Sequence, residues 1–146
     1  MGAFLEVRVR VVLGVVAALV LLAAGYVGYA TFVANPRVER EVREQPDGER
    51  ARKVMMLTLL SGKAIPVNYL REGDVVYAGA DGLWWRELRG EGARVTMLVR
   101  GETLAGHGRA IEDDADLRAD VFSRLRPTAP GFTGTLVQVD IVPAGG

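Results

Sequence analysis

The sequence predicts a mainly β protein: a six-stranded antiparallel barrel, closed or split, with two short helices, preceded by one N-terminal transmembrane helix. Three observations predict it. The run Val11–Ala34 carries no charged residue. After Lys53, six short β-rich segments are separated by turn signals built on Gly, Asp and Ser. Two short stretches among them have helical rather than alternating spacing. The chain therefore divides into an anchor at 1–35, a charged helical linker at 36–53 and a barrel at 54–146.

The anchor comes first. About 20 apolar residues cross the ~30 Å hydrocarbon layer, and the run VVLGVVAALVLLAAGYVGYATFVA is that long. Tyr26, Tyr29 and Phe32 lie toward its C-terminal end, where aromatic rings suit the interface, and Asn35-Pro36 stops the helix. A signal-peptide cut after Ala34 would place the bulky Phe32 where a small residue is needed, so the segment reads as an uncleaved anchor. Arg8 and Arg10 precede it; Arg37, Arg40, Arg43, Arg50, Arg52 and Lys53 follow it. That bias predicts a single-pass protein with its C-terminal domain in the cytoplasm.

The linker alternates charges of both signs. Arg37, Glu41 and Glu44 fit neighbouring positions on a short helix, and only Val38 and Val42 are apolar. A solvated helical stalk ending at Gln45-Pro46-Asp47-Gly48 is expected.

The barrel segments follow in order. Val54–Leu60 is a buried strand, and Ser61-Gly62-Lys63 is a turn. Ile65–Leu70 is the second strand, with Pro66 near its start, where a missing N–H is tolerated. Arg71-Glu72-Gly73-Asp74 turns the chain into the third strand, Val75–Ala80. Asp81-Gly82 leads to a short helix over Leu83–Arg89, with Trp84 and Leu88 on one face. Arg94–Val99 alternates as a fourth strand, and Arg100-Gly101-Glu102 is a tight turn. Thr103–Ile111 is a fifth strand whose Gly106 and Gly108 suggest a bend or bulge. Asp113 and Asp114 open a helix with Leu117, Val121, Phe122 and Leu125 on one face; Arg124 and Arg126 suit its C-terminal dipole, and Pro127 and Pro130-Gly131 end it. Thr135–Val142 is the last strand. A domain of about 90 residues has a thin core, which leaves room for a homodimer.

Composition excludes several chemistries. There is no Cys, hence no disulfide, thiolate metal site or Cys nucleophile. One His, His107, cannot make a multi-histidine metal centre and sits in a Gly-His-Gly strand as a structural residue. Lys and Arg total 18 against 18 for Asp and Glu, a balance that argues against nucleic-acid binding. Asp113, Asp114 and Asp116 are explained as helix-capping acids, without a metal. No phosphate-binding loop or dinucleotide fingerprint is present.

Four stretches carry a family resemblance: TLLSGKAIPVNYL (Thr58–Leu70), VVYAGADG (Val75–Gly82), WWREL (Trp84–Leu88) and RVTMLVRGETLAGHGRAIED (Arg94–Asp113). Together with the element order they resemble the deazaflavin (coenzyme F-420)-dependent nitroreductases and quinone reductases of the flavin-binding split-barrel superfamily, which also holds the pyridoxamine 5'-phosphate oxidase-like proteins. The resemblance spans roughly residues 54–142. It implies a membrane-anchored oxidoreductase with coenzyme F-420 or FMN, passing hydride to a lipophilic quinone-like or nitro-aromatic acceptor. The bilayer would be both its support and the source of its acceptor. Two departures are visible. The family's Arg between the hairpin Gly and Pro is absent between Gly62 and Pro66, and Asp81-Gly82 is a short loop. They support the alternative of a non-catalytic tethered barrel that binds a ligand or a partner protein.

In such reductases the cofactor does the chemistry and the protein binds and orients it, so no catalytic side chain is expected. Lys63 can pair with a cofactor phosphate or carboxylate tail as a point charge. Asn68 and Tyr69 can offer polar contacts to a ring edge. Ala78, Gly79 and Ala80 are small enough to let a planar ring approach the backbone. The resemblance favours Trp85, with Arg86, as pocket lining.

Overall fold

A computed structural model describes residues 2–29, 35–128 and 134–143, in two compact units, Met1–Arg37 and Val38–Gly146. In the first unit, helix α1 spans Gly2–Tyr29, and its 25-residue stretch Leu5–Tyr29 is long and apolar enough to cross a membrane. Its leucines and valines stand exposed. Phe32 and Ala34, used above for the interface and the cleavage site, lie outside the described residues, as does Pro130-Gly131.

The second unit is built on six strands: β1 (Val54–Thr58), β2 (Ala64–Glu72), β3 (Val75–Ala80), β4 (Ala93–Val99), β5 (Glu102–Ile111) and β6 (Thr135–Ile141). All pairings are antiparallel, in the order β1-β2-β3-β6-β5-β4, and β4 returns to β1 through Met56↔Leu98 and Thr58↔Thr96. The barrel is therefore closed, one of the two forms, closed or split, that the turn and strand pattern leaves open. Alternation puts Met55, Leu57, Val67, Val76, Ala78, Val95, Met97, Val137 and Val139 in one interior cluster, each buried. Side chains fill that interior, so any ligand site lies on the outside.

Three sequence expectations are corrected in detail. First, β1 stops at Thr58, not Leu60, because Leu59 donates its N–H to the Lys63 carbonyl and Gly62 donates to Leu59 at 2.9 Å, which closes the turn; Leu60 is left exposed. Second, the helix after β3 is a five-residue 3-10 helix, Trp84–Leu88, whose Leu88 plugs the core. Third, Gly106 and Gly108 make no bulge. Both lie in unbroken register with β4, and with Ile141 and Val139 of β6. Their role is close approach. A Cβ on Gly106 would stand 2.5 Å from Val139 Cγ1 and 2.9 Å from the Asp140 carbonyl. Gly106→Ala should therefore cost on the order of 1–3 kcal/mol through overpacking. Thermal unfolding reads this directly, and an unchanged melting temperature would refute a tight interior at β5.

Two helical covers, made of three helices, clothe the barrel. Helix α4 (Ala115–Leu125) starts at Asp114, whose Oδ1 accepts the Leu117 N–H at 2.9 Å, the cap the acids suggested. It buries Val121 and Phe122 against Leu136 and Ile111, with Leu70 and Tyr77 beside them. The second cover is the expected stalk. It forms two helices, α2 (Asn35–Glu44) and α3 (Glu49–Lys53), broken at Pro46. Residues 38–53 expose their charged side chains but lay an apolar face on the barrel, which a free stalk would not do. Val42 is fully buried with Val54 and Met56, Val38 packs on the same cluster, and Ala51 is buried as well.

Candidate functional site

Strand β2 alternates inward and outward residues, and it meets two cationic segments at one place. Lys53 and Arg52 end α3 just before β1 begins, and Val54 pairs with Asn68. On the other side, α4 ends at Leu125 over β2 and β3, delivering Arg124 and Arg126. Between them runs a groove of about 680 Å³. Its charged lining is the cations Arg52, Lys53, Arg124 and Arg126 with one acid, Asp81; Asn68, Tyr69 and Thr128 give polar edges; Leu70, Leu125 and Pro127 give an apolar wall.

Arg126 is the most enclosed of these cations, with an 11% exposed side chain. Its Nη2 donates to the Gly79 carbonyl at 2.8 Å and its Nη1 to Asp81 at 2.5 Å. The guanidinium also lies 5.4 Å from the Phe122 ring centre. Lys53 pairs with Glu49 at 3.0 Å, and Arg124 bonds Glu72 and Asp120. Glu49, Glu72 and Asp120 are exposed, so the pairs of Lys53 and Arg124 contribute little and leave those two cations available to a ligand, whereas Arg126 is already engaged within the fold. Tyr69 donates its hydroxyl to the Ala51 carbonyl at 3.0 Å. Burial raises that hydroxyl above the ordinary tyrosine range, against the opposing pull of Arg100 and Arg71, so Tyr69 is a neutral donor at physiological pH.

The structure brings together only part of the expected set. Asn68 and Tyr69 line the groove, and Gly79 is joined to it through Arg126. Gly79 does not offer an open backbone surface to a ring: a Cβ there would meet the guanidinium at 2.6–2.9 Å. Ala78 and Ala80 point into the barrel core, where they are buried. Lys63 sits exposed in the β1–β2 turn, away from the groove lining. Trp85 and Arg86 lie on the 3-10 helix; Arg89 stacks over the Trp85 ring at 4.5 Å, with Arg86 at 6.0 Å. His107 is exposed on β5, with Nε2 at 2.5 Å from the Glu91 carbonyl. Among the described residues no cluster suits a metal ion.

Sequence reasoning missed Arg52, Lys53, Arg124 and Arg126 as groove residues. The first two read as charges of the linker, and the other two as dipole partners of α4. Their shared position depends on contacts far apart along the chain.

No protein-family model matches the chain, and no curated protein matches it. Solved structures of similar fold include a candidate pyridoxamine 5'-phosphate oxidase from Listeria innocua, 14% identical, covering 62% of this chain and 85% of that one, with a TM-score of 0.49. An FAD-binding protein from Mesorhizobium loti is 18% identical over 62% of this chain and 82% of that one, with a TM-score of 0.43. A candidate 5-nitroimidazole antibiotic resistance protein from Bacteroides thetaiotaomicron is 13% identical over 74% and 80%, with a TM-score of 0.43.

Proposed function

We propose that the barrel binds a flavin-type cofactor in the groove between β2 and α4 and acts as an oxidoreductase. The observation that carries this reading is the groove itself: four cations against one acid, Asp81, with polar edges and an apolar wall, converge in one concave site of small-ligand size. Such a lining fits an aromatic ligand with a phosphate. The cations meet the anionic end, Leu70, Leu125 and Pro127 meet an apolar face, and Asn68 and Tyr69 supply directional contacts. Arg52 and Lys53 take the place of the missing hairpin Arg as phosphate-facing charges. A bound flavin or deazaflavin supplies hydride transfer; this chain's residues hold and orient it and limit water on the walled side.

Coenzyme F-420 or FMN is the cofactor of this proposal, and a lipophilic quinone-like or nitro-aromatic compound is the acceptor. The apolar helix α1 supports the acceptor class, since a membrane anchor raises the local concentration of lipid-soluble molecules. The cytoplasmic placement of the barrel, from the Arg and Lys flanks, and a homodimer belong to the same proposal.

A second reading is favoured by one feature. The Gly79 backbone, expected to admit a planar ring, and a face of Trp85, expected to line a pocket, are already covered by the guanidinium groups of Arg126 and Arg89. A non-catalytic tethered barrel that binds an anionic ligand or a partner would keep such a surface. Titration of the full-length chain in detergent with FMN, FAD and coenzyme F-420, followed by fluorescence, separates the two. The enzyme reading expects saturable binding of at least one cofactor with Kd on the order of 10 µM or below, and reduction of a quinone analogue by the loaded protein. Absence of binding overturns it, and binding without transfer favours the tethered barrel.

A further inference from the structure

The barrel unit buries most of its large apolar residues, but two at one end of it are left in water. Strands β2 and β3 pair side by side, and Ala64 and Ala80 are their ends on the same side of the barrel. The β1–β2 turn and the loop from β3 to the 3-10 helix are therefore neighbours there. Each carries an exposed leucine: Leu60 is 74% exposed and Leu83 64%. Val142, at 51%, is the one other exposed large apolar residue of this unit among the described residues.

Neither leucine owes its exposure to a loose loop. The Leu59 N–H donates to the Lys63 carbonyl and the Gly62 N–H to the Leu59 carbonyl, both at 2.9 Å. The Leu83 carbonyl accepts the Arg86 N–H at 3.1 Å where the 3-10 helix begins. A braced backbone thus holds two apolar side chains in water, which is unfavourable until a partner covers them. Trp84 and Trp85 follow Leu83 directly, half-buried against the core cluster, and tryptophan favours the boundary between lipid and water.

The charges at this end do not select an ionic partner. Lys63 and Arg86 stand against Glu87 and Glu91, while Asp81 and Arg89 are already paired with Arg126 and Glu112. Nor does the linker cover it: Pro46 lies against Gly101 and Asp47 pairs with Arg100, at the β4–β5 turn on the opposite end of the barrel. The same chain holds a stretch, Leu5–Tyr29, long and apolar enough to cross a membrane, so the apolar surface most available to the barrel is a bilayer.

We propose that this end of the barrel docks on the lipid bilayer, with Leu60 and Leu83 inserted below the headgroups. This rests on the reading of α1 as a membrane anchor. An anchor keeps the barrel at high effective concentration beside the surface, so the modest apolar area of two leucines suffices. Asp81, two residues before Leu83, lines the groove, so docking brings one edge of the groove to the lipid.

The test uses the full-length chain reconstituted into phosphatidylcholine vesicles, with and without bromine on the acyl chains. Both tryptophans of the chain lie beside Leu83 and none in α1, so quenching of their emission reports this end alone. Brominated lipid quenches the wild type. Leu60→Gln with Leu83→Gln weakens docking about a hundredfold, roughly tenfold for each leucine, and the quenching is lost. The melting temperature of that variant stays unchanged, because both side chains are exposed in the folded barrel. Added salt leaves the quenching in place, since the contact is apolar. Absence of quenching in a wild-type chain that floats with the vesicles overturns docking and leaves the anchor standing. Quenching that survives the double variant, or concentration-dependent cross-linking of this end to a second copy in its place, overturns docking as well. A chain that does not float with vesicles removes both readings.

Discussion

Val42→Asp is expected to destabilise the whole barrel unit by about 3 kcal/mol or more, a large part of the ~5–15 kcal/mol that holds a typical domain together. The side chain at Val42 has no exposure and lies against Val54, Met56, Val38 and Leu98, an apolar setting that offers a carboxylate no partner. The chain can escape that penalty only by lifting α2 off the outer face of β1 and β4. Doing so exposes Met56 and Val54 to water, and the loss is then of the order of the buried apolar area. Val42→Ala is the milder control; it removes two methyl groups and should cost about 1–3 kcal/mol. Thermal unfolding and hydrogen exchange together check the prediction. A lower melting temperature with faster exchange in β1 shows that α2 is an integral cover. An unchanged melting temperature, with fast exchange confined to 38–44, would restore the solvated stalk that the charge pattern suggests.

The contrast between stalk and cover shows where the sequence is legible. The strands were readable because each turn carries its own local chemistry: Gly62, Gly73 and Gly101 all have positive φ, the conformation that makes glycine the residue of choice in tight turns. The N-cap of α4 was readable for the same reason, since Asp114 and Leu117 are three residues apart. The cover was not. Residues 36–53 are mostly charged, and two valines four apart look too sparse for a packed face. They suffice because they meet a sheet whose outward residues Val54, Met56 and Leu98 supply the rest of the apolar surface. The glycines of β5 were seen but assigned the wrong purpose. A bulge is a local device, whereas the close approach of Val139 to Gly106 is set by how narrow the closed barrel is. The groove failed to appear for a related reason. Asn68 and Tyr69 could be nominated from a strand, but the cation joined to Gly79 comes from a residue 47 positions away.

That distant residue provides the sharpest test of what the groove does. Arg126→Ala removes the donor to the Gly79 carbonyl, the partner of Asp81 and the cation beside Phe122. The Asp81 side chain is 69% exposed and can be hydrated instead, so the stability cost comes mainly from the carbonyl and the ring. Together these should amount to about 2 kcal/mol. The effect on ligand binding has a sign that depends on mechanism. If Arg126 faces the anionic part of the ligand, as the groove lining suggests, affinity for the bound cofactor should fall about tenfold or more. If Gly79 is instead a platform for the ring, removing the guanidinium uncovers that backbone, and affinity should rise. Arg126→Lys refines the answer. Lysine keeps one positive charge but cannot span the Gly79 carbonyl and Asp81 with a planar fork. A binding loss in the alanine variant that lysine largely rescues assigns Arg126 an electrostatic role toward the ligand. A loss that lysine does not rescue, accompanied by the same drop in melting temperature, makes Arg126 a clamp between α4 and β3 whose first duty is to hold the groove's shape.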